Sequence, residues 1–298
     1  MMRIVVGVDP HGHCLAAIRL VGRLQFEGAT AIAICSVEEP TSLGLAVPPD
    51  LGAAVSLDIS RITEAAQKHA LKVTNEAAEI LGKYGIRTDA KMKFGGAADK
   101  LEEAAVEMGA DLIAVGREDK GTLESLFFGS VSGSLAAHAK SSVLIGRGAV
   151  QPEGDLHVLF ATDHSGYATR SLKKLVEFRP KGVSKVTIMS AYQVTINQNA
   201  DMLGVPGVEP AIEESFRSQV EDRLKHAAEF VKPLGCEVDT YLVEADPDEG
   251  IAQAMKETGA DIAALGAKGH SAIERFLLGS VAYHQVSHGT YPVIIIRH

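Results

Sequence analysis

The chain has 298 residues, 46% hydrophobic and 22% charged, a globular composition with enough length for one large or two ordinary domains. Its formal net charge is −9 and no apolar run is long enough to cross a bilayer, so we expect neither nucleic acid nor a membrane as partner. The three cysteines form no Cys-x-x-Cys pair, which favours a reducing compartment, and we expect a cytoplasmic location.

Short apolar runs alternate with helical patterns along the chain. The runs IVVGV, ADLIAVG and PVIIIR are almost continuously apolar, which is typical of strands covered on both faces of a parallel sheet. The alternation predicts an α/β fold of the doubly wound kind. The predicted strands are 3–8, 30–37, 86–93, 111–116 and 142–147 in the first half, and 156–161, 184–191, 236–243, 261–266 and 292–297 in the second.

The segment between the second and third predicted strands of each half has the period of a helix. Apolar residues three or four positions apart predict one buried face in each helix. In the first half they are Ile62, Ala66, Ala70, Val73, Ala77 and Leu81, and in the second Ile212, Phe216, Val220, Ala227 and Val231.

The chain repeats itself at an offset of about 150 residues. MGADLIAVG at 108–116 matches TGADIAALG at 258–266, and FFGSV at 127–131 matches LLGSV at 277–281. Near the start of each half, GVDPHG matches ATDHSG. Two copies of one domain explain these matches best. The polar stretch AVQPEGD separates them and predicts domains at 1–149 and 155–298.

A glycine pattern follows the fourth strand of the second half. Gly266 ends the strand, Gly269 follows, and Gly279-Ser280 opens the next helix, which gives the spacing G-x2-G-x9-G-S. Gly266 is expected to allow a sharp turn, and Gly269 to let a phosphate approach the backbone. The free N–H groups at the helix start favour an anion. The Ser280 hydroxyl could cap this helix or bond a phosphate oxygen.

This pattern is similar to the ATP-binding motif of the universal stress protein family, and the second half matches it at each Gly and at the Ser. The resemblance covers both halves, including the Asp after the first strand and the closing strand with PVIII. It implies two tandem doubly wound domains, each a five-stranded parallel sheet of order 3-2-1-4-5 flanked by helices. In that order a ligand is expected at the carboxyl ends of strands one and four.

The resemblance also implies ATP, which could carry Mg²⁺, as the cofactor of the second half. Family members often have Pro where Ala161 stands, so the chain departs from the pattern at that position. The implied contacts are Ala161, Thr162 and Asp163 at the adenosine, Ala191 at the base, Leu265 and Gly266 along the nucleoside, and Gly269, Gly279, Ser280 and Val281 at the phosphates.

The first half departs from the motif at its centre. It has Asp119 where the second half has its middle glycine, and Glu118 precedes it. At 4 Å a carboxylate would repel a phosphate charge by about 1 kcal/mol in water, and by about 4 kcal/mol at an effective dielectric near 20. We therefore expect the first half to bind ATP poorly or not at all, although Arg117 and Lys120 could partly offset the charge.

Other interpretations of the charged loop residues stay open. Asp9 and Asp163 could each cap the helix that follows instead of contacting a ligand. Lys268 suggests a Walker lysine, but the chain has no G-x4-G-K-[ST] pattern.

Two histidine pairs could suggest a metal. His11 and His13 have no third ligand in view, and His284 and His288 lack a His-Glu-x-x-His pattern, so solvated histidines are favoured over a zinc site. No catalytic base, metal cluster or nucleophile stands out, and we expect no catalytic residue.

The leading hypothesis is a stress-response regulator whose partner signal depends on ATP held by the second domain. One alternative is an interaction protein that binds no nucleotide. The other is an enzyme that hydrolyses ATP slowly or transfers adenylyl groups. For adenylyl transfer the segment Asp163-His164-Ser165-Gly166 is a weak match to the usual phosphate motifs.

The closing strands SSVLIGR and PVIIIRH are apolar and could be sheet edges, which need a partner. In the family this strand mediates dimerisation. The resemblance therefore implies that the two halves pair within one chain, and a homodimer of chains is a further option.

Overall fold

A computed structural model gives the fold, and it describes residues 1–38, 52–117, 130–193, 208–269 and 278–298. Every predicted strand is present in it, with each boundary within one residue of the prediction. The elements of the first half are β1 (Arg3–Gly7), α1 (Leu15–Leu24), β2 (Thr30–Val37), α2 (Gly52–Lys83), β3 (Arg87–Phe94), α3 (Ala97–Met108), β4 (Leu112–Gly116), α4 (Ser130–His138) and β5 (Ser142–Gly146). Those of the second half are β6 (Leu156–Ala161), α5 (Gly166–Glu177), β7 (Val183–Tyr192), α6 (Val208–Glu229), β8 (Glu237–Glu244), α7 (Pro247–Thr258), β9 (Ile262–Gly266), α8 (Ser280–His288) and β10 (Val293–Ile296).

The strands form one sheet in the order β3-β2-β1-β4-β5-β10-β9-β6-β7-β8. The first half has the predicted order 3-2-1-4-5 with parallel neighbours, and the second half repeats it. The doubly wound α/β fold is therefore confirmed. The two halves meet where β10 pairs antiparallel with β5, with Ile294 opposite Leu144.

The central strands are buried on both faces because helices cover both sides of the sheet. On β1, Ile4 and Val6 belong to one hydrophobic cluster, and Val5 belongs to the cluster on the opposite face. All three side chains have no exposed surface. This alternation explains why the strand is apolar at every position.

The predicted face of α2 is only partly correct. Ala70, Ala77 and Leu81 are buried, but Ile62 is 65% exposed. A helix of 32 residues is about 48 Å long, whereas the eight residues of β3 span about 26 Å, so only part of α2 can lie on the sheet. Thr74, which the apolar pattern omits, is buried and donates its hydroxyl to the Ala70 carbonyl at 2.9 Å.

The corresponding face is buried at Val220 in α6 and at Val231, which lies two residues beyond the end of the helix. Phe216 is 43% exposed, and its ring lies 5.8 Å from the ring of Tyr192. The side chain of Ile212 lies outside the described part of the chain. Among the described helices, none is both long enough and apolar enough to cross a membrane.

The segment between the halves is held by the first half. Arg23 on α1 is buried and donates to the carbonyl oxygens of Gly154 and Asp155, both at 2.9 Å. The rings of Phe26 and Phe178 meet edge to face across the halves, with centroids 6.3 Å apart. The β5–β10 pairing makes the sheet continuous across the halves, and these side-chain contacts add further links between them.

Candidate functional site

A cavity of about 310 Å³ lies at the carboxyl ends of β6 and β9, which are neighbours in the sheet. Its volume falls in the usual range of small-molecule sites, about 300–1,000 Å³. The structure brings together on its wall all ten residues that the resemblance implies: Ala161, Thr162, Asp163, Ala191, Leu265, Gly266, Gly269, Gly279, Ser280 and Val281. It adds Lys268, which the sequence analysis set aside for lack of a Walker pattern, and five residues that sequence reasoning missed: Ala168, Met189, Pro247, Ile251 and Ala282.

One side of the cavity is apolar and comes from β7 and α7. Met189 and Ile251 are almost fully buried there, next to Ala191. A Cβ on Gly250 would stand 2.8 Å from the Cβ of Ala191, so the missing side chain lets α7 pack closely on β7. A wall of this kind suits the flat, largely apolar face of an aromatic ring.

The opposite side carries Asp163 and Gly269 in close approach. The position that a Cβ on Gly269 would take is 2.5 Å from Asp163 Oδ2, so any side chain at 269 would displace this carboxylate. Asp163 Oδ1 also accepts a hydrogen bond from the Ser165 amide at 2.9 Å. The Asp163 carboxylate therefore occupies the space beside Gly269 that a side chain at 269 would need.

Asp163 does not cap α5. The N-cap is Ser165, whose Oγ accepts from the Ala168 amide at 3.0 Å. Of the two roles proposed for Asp163, the structure therefore excludes the cap and leaves the carboxylate on the cavity wall.

The predicted role of Gly266 is wrong in its physical reason. Gly266 does not adopt a left-handed φ, so its position in the turn does not require glycine. Instead, a Cβ there would stand 2.9 Å from Ser171 Oγ and 3.1 Å from the ring of Tyr167. Glycine is required because α5 packs directly against the end of β9.

The start of α8 faces the same cavity. Gly279 is its N-cap, and the Gly279 amide donates to the Ala267 carbonyl at 2.8 Å, which ties the helix start to the end of β9. Among the described residues no side chain caps this helix, so the suggested capping role of Ser280 is wrong. The first N–H groups of a helix have no intrahelical partner and carry the positive end of its dipole, which suits an anion. Lys268, also on the wall, adds a cation.

The loop after β1, which corresponds to the loop of Asp163, is held by its own carboxylate. The Asp9 carboxylate accepts from the amides of His11 at 2.9 Å, His13 at 3.2 Å and Cys14 at 2.7 Å. Burial disfavours its ionisation, but these three donors outweigh burial and lower the pKa of Asp9 below its usual value. Asp9 therefore organises the turn before α1. Glu118, Asp119 and Lys120 lie outside the described residues.

The histidine pairs lie in contact with carboxylates or each other. His13 Nδ1 is 3.1 Å from Asp9 Oδ1, and the His11 and His13 rings are 5.8 Å apart. His284 and His288 stack with centroids 4.6 Å apart. Within the ranges that the structure describes, no three His, Cys, Asp or Glu side chains are grouped to hold a metal ion.

Both halves match one family model. The model described as the universal stress protein family matches residues 1–147 and again 156–297. Among curated proteins, the universal stress protein MJ0577 of Methanocaldococcus jannaschii is 26% identical over 152 residues, 47% of this chain and 93% of that protein. The universal stress protein YxiE of Bacillus subtilis is 23% identical over 144 residues, 47% of this chain and 97% of that protein.

Solved structures match the whole tandem arrangement. A universal stress protein from Archaeoglobus fulgidus superposes with a TM-score of 0.63 at 17% identity, and covers 99% of this chain and 98% of that one. The protein PA1789 of Pseudomonas aeruginosa, described as functionally unknown, superposes with a TM-score of 0.62 at 16% identity, covering 100% and 92%. At these identities the likeness shows the shared fold.

Proposed function

We propose, from the premise that the chain belongs to the universal stress protein family, that its second domain binds ATP and that the protein is a nucleotide-dependent regulator of the stress response. The output is a change in partner binding that follows ATP occupancy, and we place this activity in the cytoplasm. No turnover is required for such a signal.

One observation carries the proposal: the cavity joins an apolar wall, a bare glycine backbone and a helix start. Met189, Ala191 and Ile251 would cover the adenine ring. Gly269 and the first N–H groups of α8 would meet the phosphates, with Lys268 balancing part of their charge. An adenine nucleotide needs all three features at once.

Asp163 has a separate part in this proposal. Its carboxylate lies against Gly269 on the cavity wall. A carboxylate there can accept hydrogen bonds from ribose hydroxyls, and it is the type of ligand that Mg²⁺ takes beside a nucleotide. We assign the first role to Asp163 and propose that Mg²⁺ enters with the phosphates.

The first domain is proposed to be the structural partner of the second. Support comes from Asp119 at the middle glycine position of its motif and from the pairing of β5 with β10. Each chain is then expected to hold one ATP while the two domains act as a pair. A homodimer of chains is compatible with this arrangement.

Isothermal titration with ATP, ADP, adenosine and GTP tests the proposal. ATP should bind with one site per chain and more tightly than adenosine, because ATP, unlike adenosine, carries phosphates that reach α8 and Lys268. Lys268→Met should reduce the difference in affinity between ATP and adenosine, since it removes a phosphate contact and leaves the apolar wall intact. Absence of heat with every adenine nucleotide contradicts the proposal, and equal affinity for ATP and adenosine contradicts its phosphate half.

A further inference from the structure

The far end of α8, opposite the cavity, is held by an arginine of the first domain. Arg147 follows β5, is 3% exposed, and donates to the carbonyl oxygens of Gln285 at 3.0 Å, Gly289 at 2.6 Å and Val286. A buried charge is stable only where acceptors meet it, and these carbonyl oxygens accept from the terminal nitrogens Nη1 and Nη2 of Arg147. The guanidinium therefore crosses the domain boundary to cap the carboxyl end of α8.

A second arginine of the first domain reaches the same helix end. Arg117 follows Gly116 at the end of β4, and it donates to the carbonyl oxygens of Val286 and, at 2.9 Å, Ser287. The last carbonyl groups of a helix lack intrahelical donors, and cations are favoured beside them. Arg117 is the second residue of the first domain's degenerate motif, so part of that loop serves the other domain.

The reverse contact, from the second domain to the end of α4, is made by fewer arginines among the described residues. Arg297 follows β10 and is the counterpart of Arg147 at the 150-residue offset. It donates to the carbonyl oxygens of Ala136 at 2.5 Å and Ala137 at 3.1 Å, at the end of α4. Arg117 has Ala267 at its counterpart position. Among the described residues, one arginine thus reaches α4 and two reach α8, the helix of the intact motif.

The end of α8 is also shaped for this contact. A Cβ on Gly289 would stand 3.0 Å from Arg147 Nη1 and 2.6 Å from the Gln285 carbonyl oxygen. The counterpart position in the first domain is Ala139, which has a Cβ. Gly289 therefore leaves the space through which Arg147 reaches its acceptors.

We propose that Arg117 and Arg147 are positioning residues through which the first domain holds α8 in place for the nucleotide of the second domain. The inference rests on the proposed ATP function. With nine residues α8 is about 13 Å long, so a shift at its carboxyl end moves the N–H groups beside Gly279. By linkage, a first domain that favours the ATP-bound position of α8 must itself be bound more tightly when ATP is present.

The test compares Arg117→Met with Arg297→Met, since both remove a cross-domain helix cap but only the first touches α8. In titration calorimetry Arg117→Met should weaken ATP binding about fivefold or more, the lower range of allosteric couplings, and Arg117→Lys should recover part of it. Arg297→Met should stay within about twofold of the wild type. Hydrogen exchange without nucleotide should be faster in α8 from Tyr283 onward for Arg117→Met, and faster in α4 for Arg297→Met.

Equal losses of affinity in the two variants would mean that ATP binding follows general stability, and would overturn the inference. Unchanged affinity and unchanged exchange in Arg117→Met would overturn it as well. If the wild type binds no ATP, the proposed function fails, and the exchange data alone test whether Arg117 stabilises α8. Faster exchange confined to α8 in Arg117→Met then supports the hold, and identical exchange in wild type and variant refutes it.

Discussion

Substitution of Gly269 is the sharpest perturbation of the cavity. Gly269→Ala adds one Cβ at a position 2.5 Å from Asp163 Oδ2, a separation that real Cβ atoms essentially never show, so the carboxylate or the loop must move. Gly269→Asp adds the same Cβ and a second carboxylate, as Asp119 does in the first domain. The pair of variants separates loss of space from addition of charge.

The expected effects follow from these contacts. Overpacking costs about 1–3 kcal/mol where the neighbouring group cannot move aside, as we expect for Asp163 beside bound ATP. Since about 1.4 kcal/mol is tenfold in affinity, Gly269→Ala should weaken ATP binding by about 5- to 140-fold. For Gly269→Asp, repulsion of one phosphate charge at about 4 Å adds roughly 1 kcal/mol if the charges are hydrated and roughly 4 kcal/mol at a dielectric near 20. Together with the overpacking this makes about 2–7 kcal/mol, so the total loss of affinity should be about 30-fold or more.

The assay is titration calorimetry with ATP and with adenosine, together with the thermal unfolding temperature of each variant. Gly82→Ala and Gly82→Asp are matched controls, because Gly82 lies in α2 and a Cβ there would meet no atom within 4 Å. The controls should bind ATP as the wild type does. A folded Gly269→Asp protein that binds ATP within about threefold of wild type would refute this account of the glycine.

Three further changes have distinct expected outcomes. Ser280→Ala should lower ATP affinity modestly but leave the unfolding free energy within about 0.5 kcal/mol of wild type, because Ser280 does not cap α8 in the described part of the chain; a larger loss in urea unfolding would contradict that. Asp119→Gly should raise the ATP stoichiometry above one per chain, and unchanged stoichiometry counts against the charge argument for the first domain. Burial, with a contribution from Lys185, lowers the pKa of His157. The folded state therefore disfavours the imidazolium, so this contribution to stability is complete above the unfolded pKa of about 6.5 and is lost as the pH decreases below it. In urea unfolding at pH 7.5 and 5.5, His157→Gln should show a smaller loss of stability between the two pH values than the wild type does.

Much of the fold is readable in the sequence, because strands buried on both faces must be apolar at every position. All ten strands are located to within one residue, but only the central ones for this reason, because the edge strands β3 and β8 are partly exposed and carry polar residues. The repeat shows that both halves share one topology. The face of α2 was harder to predict, since periodicity identifies a face but not how much of it meets the sheet. Ile62 lies on that face and is nevertheless exposed.

The candidate site also has one part that the sequence predicts and one part that it does not. The residues of the glycine motif are contiguous in pattern and all line the cavity. Met189, Pro247 and Ile251 come from β7 and α7 and carry no motif, so only the three-dimensional packing brings them to the cavity. The close packing of α5 on Gly266 and the reach of Arg117 into the other domain depend on distances between elements, which neither composition nor spacing encodes.

Native mass spectrometry of the full chain with ATP tests the central claim most directly. The account predicts one bound ATP per chain for the wild type and none for Gly269→Asp at the same ATP concentration. Two ATP molecules per chain, none in the wild type, or one that survives in the variant would contradict the assignment of the nucleotide to the cavity between β6, β9 and α8.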